Sequence, residues 1–162
     1  MKRSRKKYER PRRLWDKERM EKENELLKGF GLRTKKEIWM AEALLRKYRR
    51  MARNLAAKKD KESERILMEK LRKNGILGEE SALDAVLVLN IGNFLERRLQ
   101  TLIQRKGLTN SLKQARQLIV HGHVRVNGKK IVYPGYMVSK DEEDKIEVDV
   151  NVQKPKVTVS EG

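Results

Sequence analysis

The stretch SLKQARQLIVHGHVRVNGK, residues 111–129, predicts a helix followed by a tight β-hairpin. Apolar residues recur in its first half at the spacing of one helix face, at Leu112, Ala115, Leu118 and Ile119. Ser111 and Gln114 form a predicted capping box that marks the helix start, and Gly122 is the natural terminator. The VRV segment then alternates apolar and charged residues. Asn127-Gly128 supplies the left-handed turn of a two-residue hairpin.

The residues on either side of this stretch complete a small α+β unit. Upstream, Asn93 with Glu96 predicts the start of a first helix that ends at Gly107. Its apolar face is Leu95, Leu99, Leu102 and Ile103. Downstream, the pattern predicts a returning hairpin strand, a short strand, an acidic turn and a half-buried strand, at residues 131–132, 136–138, 141–144 and 146–150. We therefore predict a compact module of two helices and an antiparallel sheet.

The N-terminal half is predicted to be helical and basic. Helices are expected over residues 16–28 and 62–73, after a capping box of Thr34 and Glu37, and after a cap at Ser81. The patterns together suggest three parts of the chain. These are a basic arm and helical N-terminal domain over 1–92, the compact module over 93–150, and an acidic, flexible tail over 151–162.

The distribution of charge points to a polyanionic partner. The 162-residue chain carries 40 Lys and Arg against 23 Asp and Glu, for a formal charge of +17. The surplus lies in two basic territories, residues 1–60 with +13 and residues 93–140 with +9. Because such a surplus repels itself in a compact chain, it usually serves to bind nucleic acid or an anionic membrane.

A membrane partner is disfavoured by the hydropathy pattern. The longest apolar run, Ala85 to Leu89, is far shorter than the ~20 residues of a spanning helix. No apolar segment follows the basic N-terminus, so a secretory signal is not expected. The sequence has no Cys, which excludes disulfides and thiolate metal sites. We expect a cytoplasmic protein with no membrane partner, no metal and no cofactor.

The first basic territory contains an arm and a helix face that are candidates for binding RNA. The arm candidates are Lys6, Lys7, Tyr8, Arg10, Arg12, Arg13 and Trp15. The helix candidates are Lys35, Lys36, Arg46, Arg49, Arg50 and Arg53. The last four recur at helical spacing, and a phosphate backbone would turn their mutual repulsion into attraction. The alternatives are a solubilising tail and an ordinary solvated face, but a solvated face usually mixes charge signs and this stripe does not.

The second basic territory supplies candidates on both predicted helices and on the hairpin. Lys113, Arg116 and Gln117 share the polar side of the second helix, and Arg97, Thr101 and Gln104 form a comparable stripe on the first. Guanidinium groups can bind phosphate with two hydrogen bonds, and Gln can reach sugar hydroxyls or base edges. The candidates are Arg97, Arg98, Arg105, Lys113, Arg116, Gln117, His123, Arg125, Asn127, Lys129 and Lys130.

Three segments, FLERRLQ (94–100), SLKQARQLI (111–119) and HVRVNGK (123–129), together resemble the RNA-binding module of the ribosomal protein S4 family. The basic arm, GFGLRTKKEIW (29–39) and the Arg-rich helix look like the N-terminal part of its archaeal and eukaryotic branch. The resemblance extends to about Val150. It implies a structural constituent of the small ribosomal subunit that binds small-subunit rRNA early in assembly and supports translational accuracy.

The same resemblance implies particular surroundings and RNA-facing residues. Neighbouring small-subunit proteins would be partners, and mRNA would pass close by where it enters the subunit. Arg98, Arg116, Gln117 and Lys129 would face the RNA. The chain departs from many members at Gln100, where they have Asp, and it lacks the Cys-based zinc site of many bacterial members.

Two other classes of function compete with the ribosomal one. An RNA-modifying enzyme would need a catalytic domain of roughly two hundred residues, and only about ninety precede the module, so the chain is not expected to be an enzyme. His121 and His123 could resemble a metal pair, but no third ligand is spaced convincingly nearby. A ribosome-biogenesis factor with the same module is the remaining alternative. Its presence in precursors but not in mature subunits would distinguish it.

Overall fold

The computed structural model describes residues 8–13, 15–79 and 81–149, which divide between Arg97 and Arg98 into two compact units. The N-terminal unit, up to Arg97, contains the helices α1 (Lys17–Gly29), α2 (Lys35–Lys58), α3 (Lys61–Lys73), α4 (Leu83–Val88) and α5 (Ile91–Glu96). The C-terminal unit, from Arg98, contains α6 (Leu99–Arg105), α7 (Leu112–His121), β1 (Val124–Val126), β2 (Lys129–Lys130), α8 (Lys140–Glu143) and β3 (Ile146–Val148). The α+β prediction is confirmed.

The longest helix, α2, forms the centre of the N-terminal unit. Its inward residues recur at helical spacing and are buried, at Ile38, Ala41, Leu45, Tyr48 and Ala52. Helices α1, α3, α4 and α5 each contact α2. Phe94 of α5 stacks on Tyr48 with the ring centroids 5.7 Å apart. Because α5 packs on α2 in this way, the compact unit extends past Gly92 as far as Arg97.

Local side chains cap α1 and α3 in the N-terminal unit. Asp16 accepts a hydrogen bond from the backbone N–H of Arg19 at 3.3 Å, before α1. Asp60 accepts hydrogen bonds from the backbone N–H groups of Glu62 and Ser63 at 3.2 and 3.3 Å, before α3. Each bond satisfies a donor that the first helical turn leaves unpaired. The predicted helices in these two regions are confirmed to within a residue at each end.

Two predicted caps are corrected: α2 begins after Thr34 as predicted but without the capping box, and Ser81 does not cap α4. The Thr34 side chain makes no capping hydrogen bond, and the Glu37 carboxylate accepts from the backbone N–H of Arg33 at 3.2 Å. In a capping box this carboxylate would instead accept from the backbone N–H of Thr34, the residue after Arg33. Helix α4 begins after Ala82, not after Ser81, and has no side-chain capping bond.

The single helix predicted from Asn93 to Gly107 is interrupted. Its first part, α5, begins earlier, with a capping box in which Asn90 and Asn93 bond each other's backbone N–H groups. At Arg98 the backbone is extended, with φ −75° and ψ 142°. Arg98 forms an antiparallel bridge with Met137. A tertiary pairing therefore replaces the helical hydrogen bonds that local propensity favours, and the predicted apolar face is divided between two helices.

The C-terminal unit packs α6 and α7 against a three-stranded antiparallel sheet of order β2-β1-β3. Its buried core consists of Leu99, Leu102, Ile103, Ala115, Ile119, Val124, Val126, Val138 and Ile146. Strand β1 buries Val124 and Val126 and exposes Arg125, as the alternation predicts. Gly122 ends α7 with φ 77°. Asn127 and Gly128, with φ 52° and 74°, make the predicted hairpin turn.

Four smaller predictions for the C-terminal unit are corrected. The returning hairpin strand is Lys129–Lys130, although Ile131 still donates its backbone N–H to the Val124 carbonyl at 3.1 Å. The strand predicted over 136–138 is reduced to the bridge at Met137. The acidic turn over 141–144 is the short helix α8, because a Ser139–Glu142 capping box favours a helical turn. The final strand ends at Val148, and Val150 lies outside the described residues.

No helix in the described ranges is long and apolar enough to cross a membrane.

Candidate nucleic-acid interface

Three arginines on α2 form an exposed basic face, here called the arginine face: Arg46, Arg50 and Arg53. They line a groove of about 430 Å³, the arginine groove, together with Tyr8, Glu9, Ala43 and Lys47. Arg49 was predicted to share this stripe. It is half-buried instead, and its Nη2 donates a hydrogen bond to the Leu89 carbonyl at 2.6 Å. Arg49 therefore holds the chain after α4 and does not belong to the exposed face.

The prediction that this stripe has no acidic neighbours is wrong. Glu42 Oε2 lies 3.5 Å from Arg46 Nη2, one helical turn away, and Glu9 lines the same groove. Both members of the Arg46–Glu42 pair are about half exposed. An exposed pair of this kind contributes at most about 1 kcal/mol, so a phosphate group can compete for the guanidinium. Positive charge remains in excess, because Lys47, Arg50 and Arg53 lie beside it.

The arm residues that the structure describes are mostly exposed. Arg10, Arg12 and Arg13 are exposed, and Trp15 has 89% of its surface open. Tyr8 is half-buried beside Trp39, with ring centroids 5.9 Å apart. The predicted candidates Lys6 and Lys7 lie outside the described residues. Trp15 is thus presented where a base could stack on it, whereas the Tyr8 ring already has an aromatic neighbour.

A buried carboxylate near the start of α2 was not predicted. Glu23 of α1 is only 6% exposed and accepts a hydrogen bond from Trp39 Nε1 at 2.9 Å. Lys35 Nζ and Arg19 Nε lie 3.1 and 3.5 Å from its carboxylate oxygens. Of the two lysine candidates, Lys35 is therefore paired inside the N-terminal unit, while Lys36 is exposed. A signal was present in the sequence, since Glu rarely lies on the inward face of a helix unless it is paired.

Most candidates on α7 and the hairpin are exposed as predicted. These are Lys113, Gln117, His123, Arg125, Asn127, Lys129 and Lys130. Arg125 on the central strand β1 has its Nε 3.3 Å from the carboxylate of Asp149, the residue that follows β3. The Lys130 side chain lies over Gly122, where an added Cβ would be 2.0 Å from its Cε. Gly122 is therefore favoured by its positive φ, whereas the exposed Lys130 side chain could move away from an added Cβ.

The Arg116 side chain is held by a buried amide that sequence reasoning did not single out as a site residue. Gln100 of α6 is 1% exposed, and its Nε2 donates to the Leu112 carbonyl at 3.1 Å. Its Oε1 accepts from Arg116 Nη1 at 3.4 Å. Only a side chain with both a donor and an acceptor can make these two contacts at once. An ionised carboxylate at this position could accept from Arg116 but could not donate to Leu112.

The stripe predicted from Arg97, Thr101 and Gln104 does not exist on the surface. Arg97 belongs to the N-terminal unit, and its guanidinium lies against Gly75, where an added Cβ would be 2.8 Å from Cζ. Thr101 is 7% exposed. The predicted register fails because the helix is interrupted at Arg98 and restarts at Leu99. Of the three, only Gln104 is exposed.

Arg98 and Arg105 differ in their exposure to solvent. Arg98 is 8% exposed and lies against the backbone of Gly135, where an added Cβ would be 3.2 Å from Nη2. Its backbone pairing and burial make it a structural residue of the C-terminal unit. Arg105, in the last turn of α6, is exposed and can be reached by a ligand.

Potential metal ligands do not gather in the described part of the chain. The His121 and His123 rings stack with centroids 6.5 Å apart. No group of three or more His, Cys, Asp or Glu residues able to hold a metal ion occurs among the described residues.

Comparison with known proteins identifies the family. The S4 domain matches residues 97–146. Proteins called small ribosomal subunit protein uS4 are 50% identical to this chain over 151 residues in Nanoarchaeum equitans, 145 in Korarchaeum cryptofilum and 150 in Saccharolobus solfataricus. The alignments cover 88–90% of this chain and 83–87% of those proteins. At this identity and coverage, the chain belongs to the uS4 family.

Proposed function

We propose that this chain is a structural constituent of the small ribosomal subunit and that it binds small-subunit rRNA directly. The observation that carries the proposal is its 50% identity, over about nine tenths of the chain, to proteins named for that subunit. The formal charge of +17 supports it, because a structured RNA is a dense polyanion that such a surplus attracts.

The arginine face is the first proposed RNA contact. Three guanidinium groups on one side of a helix can each replace counterions on neighbouring phosphates, which makes binding strongly dependent on salt. A guanidinium also offers two parallel donors to one phosphate. The exposed Trp15 and the exposed arginines of the arm extend this contact to unstacked bases and further phosphates. Lys35 and Arg49 act as positioning residues in this proposal, because their charges are directed to protein groups.

The second proposed contact is the exposed polar side of α7 and the hairpin. Its cations are Lys113, Arg116, Arg125, Lys129 and Lys130, here called the module cations. Gln117, His123 and Asn127 add hydrogen-bonding groups that can reach ribose hydroxyls or base edges. Arg97 and Arg98 support the fold beneath the surface in this proposal, and Arg105 binds phosphate at the end of α6.

The family resemblance extends the proposal beyond rRNA binding. We propose that the chain supports subunit assembly and translational accuracy and contacts neighbouring small-subunit proteins. We also propose that it lies near mRNA where mRNA enters the subunit, and that it works in the cytoplasm. It acts by binding, not as an enzyme, and needs no cofactor. Naming of the relatives as ribosomal proteins supports a role without catalysis.

Sedimentation of cell extract tests the main proposal. The protein is expected with mature small subunits and polysomes at physiological salt and to remain with them when the salt is raised moderately. Recovery only in precursor particles would support a biogenesis factor instead. Recovery in fractions without ribosomal particles would exclude both roles. Binding of the purified chain to folded small-subunit rRNA, with heparin as a competing polyanion, then tests whether the contact is direct.

A further inference from the structure

A second groove lies between α2 and α3 of the N-terminal unit, and its chemistry differs from that of the arginine groove. Its volume is about 420 Å³, close to the 430 Å³ of the other. Its apolar lining comes from both helices: Tyr48, Met51, Leu55, Ile66 and Leu67. None of the described residues that line it is an arginine, and of those residues only Lys47 also lines the arginine groove. It is called the apolar groove below.

Three aliphatic side chains that line the apolar groove, here called its floor, are open to solvent. Ile66 has 61% of its surface exposed, and Met51 and Leu55 are half-buried. These residues lie on facing sides of two helices that meet at the Lys59–Asp60 turn. Covering these three neighbouring side chains with apolar groups of another molecule would remove their surface from water, which is favourable.

Lysines surround this floor. Lys47, Lys58 and Lys70 line the groove and are exposed. None of them forms an ion pair among the described residues. Among the described residues that line the groove, Asp60 is the one carboxylate. It accepts hydrogen bonds from the Ser63 hydroxyl at 2.7 Å and from the backbone N–H groups that it caps, and it also attracts Lys58 without forming an ion pair. The rim therefore presents unpaired positive charge around an apolar centre.

We propose that the apolar groove is the docking site for an amphipathic helix of a neighbouring small-subunit protein, with aliphatic residues on one face and Glu or Asp at its edges. The groove runs along α2 from Lys47 to Lys58, a length of about 16 Å, which matches about three turns of a docked helix. The aliphatic face would cover Ile66, Met51 and Leu55, and the carboxylates would meet the lysines. The proposal rests on the proposed function only in naming the subunit as the source of the partner.

Two other occupants fit the groove less well. RNA would meet the lysines, but its phosphates and riboses would leave the exposed Ile66 without an apolar partner. A second copy of this chain would bring a second set of unpaired lysines against the first, and like charges in contact oppose association. An acidic amphipathic helix provides apolar contacts for the aliphatic floor and carboxylates for the surrounding lysines.

A photoreactive residue placed in the groove tests the proposal in the full chain. Ile66→benzoylphenylalanine, and separately Asn54→benzoylphenylalanine, are expressed in cells, irradiated, and analysed by mass spectrometry after purification of small subunits and of the unassembled protein. Val88→benzoylphenylalanine is the matched control, because Val88 is 76% exposed on α4 and does not line the groove. Both groove probes are expected to cross-link to one segment of one protein that combines aliphatic and acidic residues at helical spacing.

A charge-reversed pair then tests the role of the rim. Lys58→Glu with Lys70→Glu, combined with the Ile66 probe, is expected to lower the cross-link yield several-fold. Neither lysine lines the arginine groove. Cross-links from both probes to RNA, to a second copy, to a segment without carboxylates, or to nothing would overturn the proposal. Co-sedimentation with small subunits is scored separately, so failure of the ribosomal role is distinguishable from failure of the docking site.

Discussion

The arginine face of α2 and the module cations both carry positive charge, but the protein orients them in different ways. Arg46, Arg50 and Arg53 project from one uninterrupted helix, and the acidic partner of Arg46, Glu42, lies one turn away on that same helix. Among the module cations, Arg116 bonds to Gln100 and Arg125 pairs with Asp149. The exposed charges of the arginine face therefore lie within a single element. Charges in the small module are oriented by contacts between elements that lie apart in the sequence.

The largest expected effect comes from breaking the core beneath the module cations. Ile103 is fully buried between α6, α7 and the sheet. Ile103→Ala is expected to destabilise the C-terminal unit by about 2–5 kcal/mol, because it removes buried methyl groups and leaves a cavity. Urea unfolding measures the change. The control is Val120→Ala on α7, where the side chain is 55% exposed and the change should stay within about 0.5 kcal/mol. Equal effects of the two substitutions would contradict this account of the core.

The next effect concerns the arginine face itself. Replacing Arg46, Arg50 and Arg53 with Gln is expected to weaken rRNA binding and to make the plot of log affinity against log salt shallower by about 3, one for each lost phosphate contact. Stability should change little, since all three side chains are exposed. Filter binding at several salt concentrations measures the slope.

Arg49→Gln is the matched control for that experiment. Its Nη2 bonds to the Leu89 carbonyl, so the substitution should lower the free energy of unfolding by about 1–3 kcal/mol and leave the salt slope unchanged. If Arg49→Gln changed the slope as much as a substitution in the arginine face, the separation of Arg49 from that face would be wrong.

A smaller effect tests how the module orients Arg116. Gln100→Leu removes the acceptor for Arg116 Nη1 and the donor to the Leu112 carbonyl, with an expected loss of about 1–3 kcal/mol of stability. It should also weaken rRNA binding, but less so when Arg116 is already Gln. Affinities of the two single variants and the double variant measure this coupling. Strictly additive losses of affinity would show that Gln100 acts on stability alone. Gln104→Leu, at an exposed position on the same helix, is the control.

The smallest effect concerns a local cap in the N-terminal unit. Hydrogen bonds from the Ser63 hydroxyl and backbone N–H lower the pKa of Asp60. The folded state thus favours the carboxylate, so this contribution to stability is present above the unfolded-state pKa and is lost as pH falls through the lower folded-state pKa. Asp60→Asn, which keeps a capping side chain, should reduce the loss of thermal stability below about pH 4. An identical fall in melting temperature for both proteins would contradict it.

Local chemistry explains why so much of the fold was predictable. Gly122 and Asn127-Gly128 have the positive φ values that their positions require, and the alternating valines of β1 are buried. The ends of α1 and α3 follow from residues within one turn of each helix. The family resemblance was readable for the same reason, because its segments are short and contiguous. It is confirmed by the match to the S4 domain and by the archaeal relatives.

The candidate interface was less predictable because exposure depends on partners that are distant in sequence. Periodicity placed Arg49 beside Arg46 and Arg50, but it could not reveal the Leu89 carbonyl forty positions away. It also could not show that Lys35 would meet a buried Glu23. The proposal that the exposed candidates contact rRNA stays a prediction, and the variants above test it.

By itself, the sequence determined the α+β class, the order of the main elements, the two basic territories and the family. All of these depend on patterns spanning a few turns of helix or a single hairpin. Tertiary structure alone decided that the chain leaves the helix at Arg98 to pair with Met137, and that Gln100 holds Arg116. The physical reason is that a hydrogen bond across the fold can outweigh a weak local preference, and no local pattern records where its partner will be.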